Sequence, residues 1–212
     1  MNECFQFFLK KFGEPCCSRP VEGTHLDRYR GRVPQLLLDV WVSHGFGGYR
    51  DGLFWLVDPA DYEGVLERFL APTALMGLDE YQVIARTAFG ALEAWGRTSG
   101  PSLRIDPAHG FMLSADWARP WIAQGKEHLT AESFFASREP AQADFAGEDE
   151  TPLFAAALER LGPLSEREMY AFVPALALGG TARIDRLEKV EILPHLDLLA
   201  ELGPLQVLRG PS

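Results

Sequence analysis

The stretch "GYRDGLFWLVDP", Gly48 to Pro59, decides how the first half of the chain is read. Leu53 to Val57 is a continuous apolar run bounded by Gly52 and Pro59. Its length and its aromatic and β-branched character fit a central strand covered on both faces. Arg50 and Asp51 would point to opposite faces of an extended chain, so they read first as a turn feeding this strand. Immediately after it, "DPADYEGVLERFLAP" sets Tyr62, Val65, Leu66 and Phe69 at helical spacing, with Asp58 or Asp61 as the N-cap candidate.

Working outward, residues 3–12 place Phe5, Phe8, Leu9 and Phe12 on one helical face, ended by Gly13 and Pro15. Residues 16–32 are polar and basic and read as a loop. "VPQLLLDVWVSHG" returns to helical spacing, with Pro34 in its first turn and Gly45 past its end. The glycines of "HGFGG" read as turn chemistry. Downstream, "YQVIARTAF", "ALEAWG", "SLRIDP" and "GFMLSA" are strand-like pieces separated by Gly or Pro, the pattern of an antiparallel meander. The expected fold class is α+β: an antiparallel sheet of about four to five strands with helices packed on it, over residues 1–116.

After Trp117 the character changes, and residues 117–212 are expected to form a mainly helical C-terminal domain packed on the first. "DWARPWIAQG", "LTAESFFAS" and "TPLFAAALERLG" read as helices, the last with Thr151 as N-cap and Pro152 at its first position. "SEREMYAFV" opens on Ser165 and Glu168 at capping-box spacing and is expected to be helical. "EKVEILPHLDLLAELG" has an apolar helical face that Pro194 either breaks or starts. "REPAQADFAGEDE" reads as a linker.

At 47% hydrophobic and 24% charged, the 212 residues have ordinary globular composition. No apolar run reaches the roughly 18–20 residues a bilayer crossing needs, and "MNECFQFFLKKFGEP" lacks the charge order of a secretory signal. A cytoplasmic protein without membrane contact is expected. Net charge is −10. Residues 1–35 hold six basic and four acidic side chains, so the remainder carries −12. Such a field repels phosphate backbones, which argues against direct nucleic-acid binding, and it attracts basic partners.

Catalytic patterns are missing. His25, His44, His109, His128 and His195 stand singly, without metal-ligand spacing, and no metal or cofactor is implied. There is no G-x-S-x-G, no P-loop and no dinucleotide fingerprint. Cys4, Cys16 and Cys17 read as free thiols. Asp106 and His109 in "RIDPAHG" could form a dyad, although Asp-Pro is also a common turn starter. Arg86 interrupts an apolar strand and, if buried, needs a carboxylate that Asp51 or Asp58 could supply. These residues are the basis of an alternative reading, a small-ligand protein or enzyme using Arg86, Asp51, Asp106 and His109.

The remaining signal lies between Glu139 and Glu159, where no Lys or Arg occurs. Asp144, Phe145, Glu148, Asp149 and Glu150 fall here. As a solvated linker the segment needs no further role. As a contact surface, its carboxylates would steer a basic partner and Phe145 would anchor it.

Taken in order, "GYRDGLFWLVDPADY", "IARTAFGALEAWG", "IDPAHG", "SFF", "PLFAAALERLGPLSEREMYAFVPALALGG" and "PHLDLLAEL" resemble bacterial proteins with a GAD-like domain followed by a small C-terminal domain. The resemblance spans roughly residues 10–203. That group includes immunity proteins of type VI secretion DNase effectors. It implies a non-catalytic antitoxin that binds a cognate nuclease toxin and covers its DNA site. The family transfers no catalytic role to these motifs. Tyr170-Ala171-Phe172 departs from the Tyr-Gly-Phe of relatives, so a different local turn is expected there. A general interaction module is the third reading.

Overall fold

In the computed structural model, which describes residues 2–210, the apolar spacing of the first residues produces α1 (Glu3–Phe12). The Asn2 side chain accepts from the amide of Cys4 at 2.9 Å, and Phe5, Phe8, Leu9 and Phe12 are buried. Residues 16–32 are more ordered than a loop. They supply β1 (Cys17–Arg19) and a short 3-10 turn from His25 to Tyr29. All three β1 side chains are exposed. An edge strand of this kind leaves no apolar alternation to read. Next come α2 (Gln35–His44), burying Leu37, Leu38, Val40 and Trp41, and then β2 (Phe46–Tyr49).

The "HGFGG" glycines therefore lie largely within a strand, and packing explains them. A Cβ on Gly48 would sit 2.8 Å from the Trp55 indole, and one on Gly47 would meet the Cys17 carbonyl at 2.5 Å. Arg50, Asp51 and Gly52 have φ of 51°, 57° and 89° and turn the chain into β3 (Phe54–Leu56). Arg50 donates to the Lys11 carbonyl at 3.0 Å. The opening pair is thus the turn into an interior strand, as expected.

Asp58 caps α3 (Pro59–Leu70), accepting from the Ala60 amide at 3.1 Å, and the predicted stripe of Tyr62, Val65, Leu66 and Phe69 is buried. The meander forms as read: β4 (Tyr81–Thr87), β5 (Leu92–Gly96), β6 (Gly100–Asp106) and β7 (Phe111–Ser114), each antiparallel to the next. All seven residues of β4 are buried, because helices and the C-terminal hairpin cover the faces of the interior strands.

The C-terminal part begins with α4 (Arg119–Ala123) and α5 (Glu127–Ala136). Phe135 of α5 packs edge-on against Phe5, with ring centroids 5.0 Å apart. Then follow α6 (Pro140–Ala143) and α7 (Phe154–Leu161). Thr151 does not cap α7. Leu153 occupies the N-cap position, and the Asp144 carboxylate takes the Phe154 amide instead, at 2.9 Å.

The C-terminal part is mostly helical as expected, and it also carries strands the sequence reading did not place: β8 (Glu168–Phe172), β9 (Leu187–Glu191) and, beyond α8 (Ile192–Glu201), β10 (Gln206–Arg209). Ser165 and Glu168 do interact, the Ser165 amide donating to the Glu168 carboxylate at 2.8 Å, but the bond closes a turn into a strand. Tyr170-Ala171-Phe172 is strand rather than turn, and Ala171 is buried in it. Pro194 lies in the first turn of α8, where a missing amide costs nothing.

Among the described residues the main sheet has eight strands in the order β1-β2-β3-β4-β5-β6-β7-β10, against the four to five expected, and β8-β9 form a separate hairpin. All neighbours in the main sheet are antiparallel except β7 and β10. The two extra edges come from the segment taken as loop and from the chain's return after α8. The Tyr170 amide donates to the Ala88 carbonyl at 2.9 Å, which ties the hairpin to the first half.

Candidate functional site

The acidic segment is built as a closed miniature hairpin. Ala146 and Pro152 form an antiparallel bridge, the Gly147 amide donates to Thr151, and the Leu153 amide donates to Phe145. Outside this loop, the Glu148 amide reaches the Ala182 carbonyl at 3.0 Å. Glu148, Asp149 and Glu150 sit exposed at the tip, with Glu150 in left-handed backbone at φ 63°. The Asp149 carboxylate accepts from both the hydroxyl and the amide of Thr151, at 2.6 and 3.1 Å, and these bonds hold its pKa below the ordinary carboxylate value. The tip therefore presents three carboxylates on a braced loop.

Asp144 and Phe145 are placed differently from the other three. Phe145 is 4% exposed and cannot anchor a partner from the surface. Its ring stacks on His109 at 4.3 Å and 13°, and meets Phe172 at 5.0 Å and Phe89 at 5.6 Å. An aromatic residue in a polar loop of sequence looked available; the fold instead uses it to join loop, hairpin and sheet. Half-buried Asp144 accepts from the amides of Phe145 and Phe154, at 2.7 and 2.9 Å. Burial raises its pKa, partly opposed by those amides.

Asp106 and His109 do meet, with Nδ1 and Oδ1 2.9 Å apart. Asp106 is buried and also pairs with Arg104 at 3.2 Å, and Arg104 and Arg138 both pair with Glu93, at 2.8 and 3.0 Å. Burial works to raise the Asp106 pKa, but the His109 hydrogen bond and the Arg104 charge outweigh it, and the carboxyl lies below its ordinary value. The dyad belongs to a charge network on the sheet, beneath the Phe145 ring.

Arg86 is fully buried, and among the described residues no carboxylate pairs with it; neither Asp51 nor Asp58 serves it. Its guanidinium lies over the Trp55 ring, 4.5 Å from the centroid, and donates to the carbonyls of Thr87, Ser165 and Glu166 at 3.3, 3.4 and 3.0 Å. Carbonyl dipoles and an aromatic face here replace the expected countercharge. Among the described residues Nε has no hydrogen-bond partner, and burial lowers the pKa. Arg86 thus joins β4 to the turn before β8, while Asp106 and His109 belong to a separate network. The expected quartet is not one cluster.

Asp58, read in the sequence as a cap and as a possible partner for Arg86, is the centre of another arrangement. It is 3% exposed and is met by His25 Nε2 and the Tyr29 hydroxyl, each at 2.6 Å. Arg19 lies 3.9 Å away and pairs more closely with Asp61 at 3.2 Å and Glu166 at 3.3 Å. Nothing in the spacing of residues 19, 25, 58 and 166 announces this contact, which depends on the two halves being docked. Among the described residues, no group of three or more His, Cys, Asp or Glu could hold a metal ion. No described helix is long and apolar enough to cross a membrane.

These features define an α+β protein whose sheet and C-terminal hairpin are docked through Arg86 and Phe145, and which carries a braced acidic tip. The chain belongs to the GAD-like domain family, whose sequence profile matches residues 3–109. Residues 129–203 match a second profile, described as the C-terminal part of the T6SS immunity protein Tdi1. Together the two matches give the predicted order of a GAD-like domain followed by an immunity-type C-terminal region. The crystal structure of Atu4351 from Agrobacterium tumefaciens is similar in fold, with a TM-score of 0.85 at 20% identity, over 97% of this chain and 92% of that one. None of the curated proteins matches the chain.

Proposed function

We propose that the protein is a type VI secretion immunity protein that binds a cognate nuclease effector and inhibits it by covering its DNA-binding or active site. The role is that of a non-enzymatic inhibitor acting through a protein partner. With the chain divided at 116/117, the tip lies in the C-terminal part. The observation that carries the reading is this tip, Glu148, Asp149 and Glu150, lying inside the segment matched to the immunity profile on a chain of net charge −10. A nuclease cleft must attract phosphate and is therefore basic, so exposed carboxylates on a braced loop steer the encounter with little ordering cost. Since Phe145 is internal, the apolar part of the contact falls to surface residues such as Leu178, which is 59% exposed in the segment leading to Ala182.

The test begins with the protein as bait in the native bacterium, followed by a DNA-degradation assay on the partner after release and refolding. A partner that is silent when bound and nucleolytic when freed supports the proposal; a partner without nuclease activity refutes it. With that partner in hand, replacing Glu148, Asp149 and Glu150 by Ala should slow association about tenfold at low salt without lowering the melting temperature. An association rate insensitive to both the substitutions and ionic strength would remove the acidic tip from the mechanism.

A further inference from the structure

Between the two halves lies a cleft of about 520 Å³, within the ordinary range for small-molecule sites. Phe46, Trp55 and Tyr62 form its buried floor in the first half, and Leu193 and Pro194 are the more accessible apolar residues lining it from α8, beside buried Ile192. Four carboxylates border it, those of Asp58, Asp61, Glu166 and Glu191, against the guanidinium groups of Arg19 and Arg167.

The distribution of these charges is uneven. Arg19 alone faces three carboxylates: Asp61 at 3.2 Å, Glu166 at 3.3 Å and Asp58 at 3.9 Å. Arg167 and Glu191 are exposed and 3.9 Å apart. With the buried Arg86 guanidinium over Trp55 counted, two guanidinium groups stand against three carboxylates, and His25 also meets Asp58, so the wall keeps a small excess of negative charge. Burial, and next the charge of Asp58, push the Asp61 pKa up, as expected for a carboxylate short of countercharge. Two rings of the floor already carry cations over their faces. Arg19 lies over the Phe46 ring at 5.4 Å and Arg86 over the Trp55 ring at 4.5 Å, two cation–π contacts made by this chain's own guanidinium groups.

We infer that this cleft binds an organic cation, an ammonium or guanidinium group on an apolar body, with its charge against Asp61 and Glu166 and its body on Leu193 and Pro194. Such a ligand touches both halves and bridges them at the Arg19 contact. The same chemistry is offered by a free amine or by a basic side chain of a protein. The site is distinct from the acidic tip at Glu148–Glu150 and does not rest on the proposed immunity role.

Calorimetric titration of the full chain with agmatine, phenethylamine, the amidated tripeptide Gly-Arg-Gly and, as the anionic control, glutarate tests this. Asp61 and Glu166 are half-exposed, so Asp61→Asn with Glu166→Gln should fold, as a melting temperature near the wild-type value would verify. Saturable binding of agmatine or phenethylamine, weakened at least about tenfold in the double variant, supports a free cation as ligand. Binding of the tripeptide alone, with the same loss, assigns the site to a protein side chain. Absence of saturable binding by all three cations, affinity unchanged in the double variant, or equal binding of glutarate overturns the inference.

Discussion

Replacing Phe145 by Ala separates the two roles this side chain was open to. If the ring were a surface anchor, its removal would weaken partner binding and leave the fold untouched. In the structure it is 4% exposed and stacked on His109 at 4.3 Å, with Phe172 and Phe89 around it. Truncating a buried phenylalanine to alanine costs about 3–5 kcal/mol, including the cavity left behind. The ring contacts with His109 and Phe172 add to plain area burial, while the loop's surface position lets it partly collapse. A loss of about 4 kcal/mol is expected, and for a chain of this length that lowers the melting temperature by roughly 8–16 °C. Circular dichroism melts and urea titration of the purified variant measure it. A variant melting within about 2 °C of wild type would refute the assignment of Phe145 to the core and return it to the surface.

Two further outcomes follow from the sheet. Gly48→Ala places a methyl group 2.8 Å from the Trp55 indole and should destabilise by about 1–3 kcal/mol through overpacking. Gly64→Ala, on α3 with its nearest neighbour at 3.9 Å, should be neutral or stabilise by about 0.5–1 kcal/mol; urea midpoints that rank the two the other way would contradict the packing. Asp106 has a folded pKa below its ordinary value. Its stabilising contribution is therefore present above the unfolded carboxylate pKa of about 3.9 and is lost as pH falls through the lower folded value. Asp106→Asn should be less stable than wild type at pH 7, with the gap narrowing below about pH 4; a gap constant from pH 7 to pH 3 would remove Asp106 from the acid limb.

Much of the first half was legible because its signals are local. The 3.6-residue spacing of Phe5, Phe8, Leu9 and Phe12, the Asp58-Pro59 start of α3, and the turn signals between β4 and β7 each act within one element or between chain neighbours. Left-handed Arg50 and Asp51 next to Gly52 are a turn on the same grounds. The misread elements are those whose stability comes from elsewhere. β1 exposes all its side chains and exists because β2 offers a pairing edge; β10 pairs with β7 only after α8 has carried the chain back. "EMYAF" follows a real capping-box contact, yet its backbone pairs with β9 and its side chains are buried on both faces, Tyr170 against Phe89 and Phe154 and Phe172 against Phe145.

The candidate site divides in the same way. The sequence by itself determined the charge imbalance, the cation-free stretch from Glu139 to Glu159, the ordered motifs that carry the family resemblance, and the want of catalytic patterns. Those are properties of composition and order, and folding does not alter them. Only the tertiary structure decided that Phe145 is internal while Glu148, Asp149 and Glu150 remain exposed. It also decided that Arg86 is held by carbonyls and an indole rather than by Asp51 or Asp58, and that Arg19, Asp58, Asp61 and Glu166 face one another across a cleft. Burial and countercharge are set by which distant segments pack together, and residues 19, 58 and 166 share no local spacing that could announce it.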